Sequence, residues 1–309
     1  MFGQYLKQLR IEKGLTQKGL CIHLNLISTE FAAIDSVTIS RWERETTTPH
    51  PIKAIKILHT LTNDLLPYLN SIDVKEADGL MDHIVYERFH STKATVHAAS
   101  YSDLAENTYS RIIEKEIDPS HDSALFDNIE TFLKTSKAAY PGLERQNLYQ
   151  LYRDKKLLVK VYIDATSHEI VGHNLAVFFN YADLDMQLAS PDRAISFEKL
   201  KPYTENAALA ICSLSRFATN EDAFHIVHSD FVRFVAQHAN IHFYYHYLNG
   251  PILFDYLVSI GAEKVGYDTP DPYGIVKIGS NSFRNCLLKI DSAVILSRPE
   301  IINLLKNRT

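Results

Sequence analysis

Two groups of residues in this 309-residue chain have the types and spacing to do chemistry. The first is Gln17 and Lys18 with Ser36, Val37, Thr38, Arg41 and Arg44, small polar and cationic side chains gathered within the first fifty residues. A guanidinium offers paired donors that match a phosphate or the edge of guanine, so such a set suits a nucleic acid. The second is Ser215, Arg216 and Phe217 with Asn249 and Tyr256, which bring together a hydroxyl, a cation, an amide and a phenol. Histidines raise a third chemistry, because His225, His228, His238, His242 and His246 crowd one region. No H-E-x-x-H or carboxylate–histidine set of ligand spacing accompanies them, so they read as surface or internally satisfied side chains and no metal is expected. No serine stands in G-x-S-x-G, and Gly14-Leu15-Thr16 is a helix break with no phosphate-loop pattern.

The elements that must hold the first group are short helices. Tyr5, Leu6, Leu9 and Ile11 recur near helical spacing, and Gly14 stands where a helix ends. Thr16 is placed to cap a second helix whose apolar face is Leu20, Cys21 and Leu24. Asp35 or Ser36 opens a third, with Val37, Ile39 and Trp42 and a charged end through Arg41, Glu43, Arg44 and Glu45. Pro49 and Pro51 precede a fourth, from Ile52 to Leu61. Ile39 and Trp42 are core residues in this pattern.

The stretches GLTQKGLCIHLNL and VTISRWERETTTP, in that order, resemble the Cro/repressor-type helix-turn-helix regulators, the XRE family. The resemblance implies an all-α DNA-binding domain over residues 1–70. In it Ser36, Val37 and Arg41 face base edges, Thr38 and Gln17 face the backbone, and Arg44 and Lys18 add charge. It also implies an internal ion pair between Arg10 and Glu43. Two departures stand out: ISTEFAAI lengthens the turn between the second and third helices, and Glu45 occupies a position where the family usually has glycine.

A polar stretch from Asn70 to Gly79 reads as a linker, placed at residues 71–85, and a second domain fills 86–309. Its pattern gives a strand at 93–100, helices at 103–117, 124–140 and 144–153, and the strand pair LLVKVYIDA and IVGHNLAVFFN. The strand AALAICSLSRFA, the helix FHIVHSDFVRFVAQH, the strand IHFYYHYLN, the helix PILFDYLVSIG and a strand at 262–267 follow. Strands alternating with helices imply an α+β domain with a mixed sheet. That order, with LSRFA and YLNGPILFDYLVSIGAEKVGY, resembles the GNAT acyltransferase fold, its acyl-homoserine-lactone synthase branch in particular. The resemblance implies acyl-CoA or a related thioester as the group bound, Tyr256 as the proton donor to the thiolate, and Ser215, Arg216, Phe217 and Asn249 beside the ligand. The sequence departs from it at the phosphate turn, Thr219 to Ala223, which has no glycine and two carboxylates, and at Ser213, which replaces the branch's glutamate.

The net charge is −5, but it is uneven: eight basic against six acidic residues leave +2 on residues 1–70 and −7 on the rest. An acidic second domain with Glu221 and Asp222 at the expected phosphate turn favours a regulator over an enzyme. Cys21, Cys212 and Cys286 are too few and too scattered for a disulfide framework or a zinc site. With no apolar run long enough for a membrane helix and a charged amphipathic start, the chain reads as soluble and cytoplasmic.

The expected function is a dimeric transcription regulator that binds a double-stranded DNA operator and whose GNAT-like domain senses a small acyl ligand or mediates dimerisation. No cofactor is expected for that function; the alternative is an acyltransferase fused to a DNA-binding module and using a thioester donor, acyl-CoA or acyl carrier protein. A third reading is an antitoxin-like repressor whose second domain binds a protein.

Overall fold

The structure, a computed structural model, describes residues 1–74, 79–90, 111–118, 121–135, 140, 142–189, 195–248, 250–274 and 276–306. The chain divides into two compact units: Met1–Asp78 with Val232–Asn240 and Ser292–Thr309, and Gly79–Phe231 with Ile241–Asp291.

The first unit is all-α. Its helices are α1 (Phe2–Glu12), α2 (Gln17–Ile27), α3 (Ser36–Glu43), α4 (Pro51–His59) and α5 (Leu66–Ser71). Thr16 caps α2 by accepting from the Gly19 N–H at 2.9 Å, and Asp35 caps α3 by accepting from Thr38 N–H at 2.7 Å. Gly14 leaves α1 at φ +66°, and Glu45 leaves α3 at φ +58°, a left-handed conformation that glycine adopts at less cost. The long turn between α2 and α3 is built into the core: Phe31 and Ile34 are buried, and Asn25 Nδ2 donates to the Ile34 carbonyl at 3.1 Å. The last two helices of the chain, α12 (Ser292–Leu296) and α13 (Pro299–Lys306), join this unit against α4 and α5. That differs from a second domain running to residue 309. The reason is apolar complementarity, since Ile302, Leu304 and Leu305 bury one face of α13.

The second unit is α+β. Its main sheet has seven strands in the order β1-β2-β3-β4-β5-β9-β6: β1 (Ile112–Glu114), β2 (Leu157–Asp164), β3 (Ile170–Asn180), β4 (Leu209–Ala218), β5 (Ile241–Leu248), β6 (Glu263–Tyr267) and β9 (Cys286–Asp291). All neighbours are antiparallel except β4 and β5, which are parallel. β7 (Val276–Ile278) and β8 (Asn281–Phe283) form a separate hairpin. The helices are α6 (Leu80–Val85), α7 (Ser123–Thr135), α8 (Leu148–Arg153), α9 (Tyr181–Leu188), α10 (Glu221–Ala236), whose residues to Phe231 belong to this unit, and α11 (Pro251–Ser259).

Several expectations are corrected here. The helix expected over 103–117 ends instead in an edge strand, because Ile112 to Glu114 pair with Asp164 to Tyr162; residues 103–110 and the strand expected at 93–100 lie outside the described residues. The linker expected to reach residue 85 contains α6, which Val85 anchors in an apolar cluster with Tyr162, Val171, Phe224 and Val227. Strand β9 inserts between β5 and β6, a pairing between segments far apart in the chain that no local pattern announces.

Candidate functional site

Strands β4 and β5 start as neighbours and then part. Their register runs from Leu209 opposite Ile241 to Ser213 opposite His246; residues 214–218 of β4 have no partner on β5. The divergence coincides with a bulge in the pairing of β4 with β3, where Leu175 faces Ser215 and Ala176 faces Ser213, leaving Leu214 as the extra residue. The point where the parallel pair stops at its carboxyl ends, the wedge, is the usual place for a ligand in an open sheet.

On one side of the sheet the wedge is flanked by Ser215, His173 and Tyr247. His173 Nε2 and Ser215 Oγ are 2.8 Å apart, and His173 lies edge-on to Phe132 of α7 and stacks on Phe217 at 5.7 Å. Burial, and then the charge of Arg88, push the His173 pKa down to about 3, so the ring is neutral and too weakly basic to take the Ser215 proton at neutral pH. It orients the hydroxyl instead. Tyr247 lies just past the last β4–β5 pair, half-buried, and its hydroxyl makes no hydrogen bond among the described residues. Burial, then Asp268, raise its pKa and keep it a protonated phenol. Tyr140 closes this side. Its N–H donates to the Leu214 carbonyl at 2.8 Å, its ring meets Tyr247 at 5.0 Å, and its hydroxyl accepts from Ile195 N–H at 2.9 Å.

The expected site residues therefore separate. Ser215 stands at the wedge, Phe217 is a buried core side chain against Phe132, and Arg216 turns to the opposite face, where its guanidinium lies 4.0 Å over the Phe231 ring. Tyr256 sits half-buried on α11. Asn249 lies outside the described residues. The turn before α10 is closed to phosphate by its own groups: Asn220 Oδ1 accepts from Ala223 N–H at 2.8 Å, and Glu221 and Asp222 occupy the first helical turn. His173, Tyr247 and Tyr140 were not singled out from the sequence. A histidine inside the apolar run IVGHNLAVFF is a signal of a buried polar role, whereas nothing local distinguishes Tyr247 from its neighbours.

In the helical unit Arg41 is exposed on α3 and Arg44 just past its end, Ser36 and Val37 are exposed at its start, and Thr38 is half-buried. Arg44 Nε donates to the Ser40 carbonyl at 3.2 Å. Lys18 is exposed on α2, whereas the Gln17 amide turns inward and donates to Glu43 Oε2 at 2.8 Å. The Arg10–Glu43 ion pair that the resemblance implies is present and two-pronged, Nε to Oε1 at 2.5 Å and Nη2 to Oε2 at 3.0 Å. Among the described residues no three His, Cys, Asp or Glu gather as a metal site, and no helix is long and apolar enough to cross a membrane.

No protein-family model matches the chain, and no curated protein matches it either, so the helix-turn-helix resemblance rests on the residues quoted above. Solved structures do resemble part of it. Arabidopsis thaliana NAA60 in complex with a bisubstrate analogue is 11% identical over 59% of this chain and 98% of its own, with a TM-score of 0.36. Spermidine N-acetyltransferase from Vibrio cholerae, a dodecamer, is 12% identical over 60% of this chain and 95% of its own, with a TM-score of 0.35. FeeM, an N-acyl amino acid synthase from uncultured soil microbes, is 10% identical over 59% of this chain and 91% of its own, with a TM-score of 0.36. The likeness is of a GNAT-like mixed sheet with helices; at these scores it carries no argument about activity. DNA binding finds no support in any of the comparisons.

Proposed function

We propose that the second unit is an acyl-transfer module that takes an acyl thioester in the wedge between β4 and β5, which reverses the sequence-based preference for a regulator. The end of the parallel pairing after Ser213 and His246 carries this reading, because it sets the buried Ser215 hydroxyl on one strand near the half-buried Tyr247 phenol, which makes no hydrogen bond among the described residues, on the other. With His173 Nε2 protonated, Ser215 Oγ accepts from it and its own proton is free for the thioester carbonyl oxygen. An amine then attacks the carbonyl carbon, the C–N bond forms as the C–S bond breaks, the sulfur takes the electron pair, and Tyr247 gives the thiolate its proton. The ammonium proton of the product returns to the phenolate through solvent.

Because the turn before α10 caps itself, the donor is held by its acyl and pantetheine portions more than by phosphate. Free thiol released from acetyl-CoA and from longer acyl-CoAs, with a panel of amines as acceptors, tests the reading. Tyr247→Phe is expected to lower turnover on the order of 10²-fold, the range of one lost proton transfer, and Ser215→Ala by about tenfold or more. No thiol release with any donor, or release unchanged by both substitutions, overturns it.

A second reading for the helical unit is DNA recognition by α3, favoured by the exposed row of Ser36, Val37, Arg41 and Arg44 in front of buried Ile39 and Trp42. If Arg41 pairs with a base, Arg41→Ala costs about 1 to 3 kcal/mol of discrimination at an operator selected from random DNA, read by gel-shift titration at fixed salt. Equal affinity of both proteins for the selected and scrambled sites removes the reading.

A further inference from the structure

The face of the sheet that meets α10 holds a polar cluster that acyl transfer does not use. Arg216 Nε donates to Asn174 Oδ1 at 3.4 Å and Nη2 approaches Ser213 Oγ at 3.5 Å, while the guanidinium lies over the Phe231 and Tyr244 rings. Nearby, Arg88 Nη2 donates to the Ala218 carbonyl at 3.3 Å and the same guanidinium lies over Phe89 and Phe224. No carboxylate among the described residues forms an ion pair with either arginine. Two titratable neighbours are neutral: His246 Nδ1 meets the Tyr244 hydroxyl, His228 Nδ1 meets the Phe224 carbonyl at 2.8 Å, and burial, then the charge of Arg216, hold both histidines well below their ordinary pKa.

The cluster is short of acceptors. Asn174 is fully buried, and since its Oδ1 faces Arg216 its Nδ2 points a donor at nothing. A half-buried guanidinium without a counter-charge beside an unmatched amide donor is costly to keep, unless something supplies the missing oxygens.

We infer that this cluster binds an oxyanion, a carboxylate or phosphoryl group of a small ligand, through Arg216 and the Asn174 amide, with Arg88 adding positive potential. Arg216 is half-buried, whereas Asn174 lies wholly inside. The site stands apart from acyl transfer, and its test does not read thiol release.

Melting of the full chain in chloride is compared with melting in added phosphate and in added acetate at matched ionic strength. A saturable rise of about 2 °C or more in at least one anion is expected, and which anion acts separates phosphoryl from carboxylate ligands. Asn174→Asp is isosteric and supplies a carboxylate to Arg216. It is expected to raise Tm in plain chloride and to abolish the anion response. Arg216→Met is expected to do the same by removing the uncompensated charge. A wild-type protein indifferent to both anions, or an anion response that survives Asn174→Asp, overturns the inference; should Arg216→Met fail to fold, those two measurements still decide.

Discussion

Arg10→Met is expected to cost the helical unit about 3 to 5 kcal/mol, the range for breaking a buried ion pair by removing one partner. The pair qualifies because the side chains of Arg10 and Glu43 are only 12% and 4% exposed, and the loss strands more than one group. Glu43 keeps only the Gln17 amide, and the Leu15 carbonyl loses the Arg10 Nη1 donor at 2.7 Å. Trp42, the single tryptophan, is buried in α3 next to Glu43, so its fluorescence in a urea titration follows this unit. Adding Glu43→Leu should recover a large part of the loss, since the isolated charge is then gone.

The same pair sets a pH dependence. Burial raises the Glu43 pKa, but hydrogen bonds from Arg10 and Gln17 and the charge of Arg10 outweigh it and leave the folded value below the ordinary one. Its stabilising contribution is therefore complete above the unfolded carboxylate pKa of about 4.3 and is lost as pH falls through the folded value. The Trp42 transition should weaken on acidification below about pH 4 in the parent chain and lose that component in Arg10→Met. A loss under 1 kcal/mol at pH 7 would mean the pair is worth no more than an exposed one.

How much of this was legible in the sequence depends on how local each feature is. Caps announce themselves: Thr16 and Asp35 do what their hydrogen-bonding chemistry implies, and Glu45 at φ +58° sits at the glycine-type position that the sequence marks as a departure. Strands β2 to β5 were readable from their apolar runs, but which face each side chain takes was not. The bulge at Leu214 shifts the alternation, so Ser215 reaches His173 while Arg216, its neighbour, goes to α10. Pairings distant in sequence were not readable either. His173 meets Ser215 across 42 residues, and α12 reaches α4 from the other end of the chain. Tyr256 was chosen on a motif alone and Tyr247 was not considered, whereas the end of the β4–β5 register is what sets Tyr247 beside the end of the pairing.

Gly3→Ala is the other substitution with a large expected effect, about 3 kcal/mol, the upper part of the range for overpacking. A Cβ on Gly3 would lie 1.9 Å from the Trp42 carbonyl oxygen, 2.8 Å from its carbon and 3.2 Å from the Glu43 Cα. All three atoms belong to the α3 backbone, so no side chain can rotate away and α1 must move off α3. That shift strains the features that join the two helices, the edge-on contact of Phe2 with Trp42 and the two-pronged Arg10–Glu43 pair. Gly19→Ala provides the contrast. Its Cβ would meet the Thr16 Oγ1 and Leu15 side-chain atoms at 3.2 Å and beyond, and alanine adds up to about 1 kcal/mol of helix propensity inside α2. Urea midpoints read from Trp42 should fall sharply for Gly3→Ala and stay level or rise for Gly19→Ala; equal midpoints for the two would show that α1 and α3 do not cross at Gly3. Because Gly3 packs against α3 within the helical unit, thiol release and the anion response per folded molecule should survive the substitution, which separates the packing of the helices from the chemistry of the sheet.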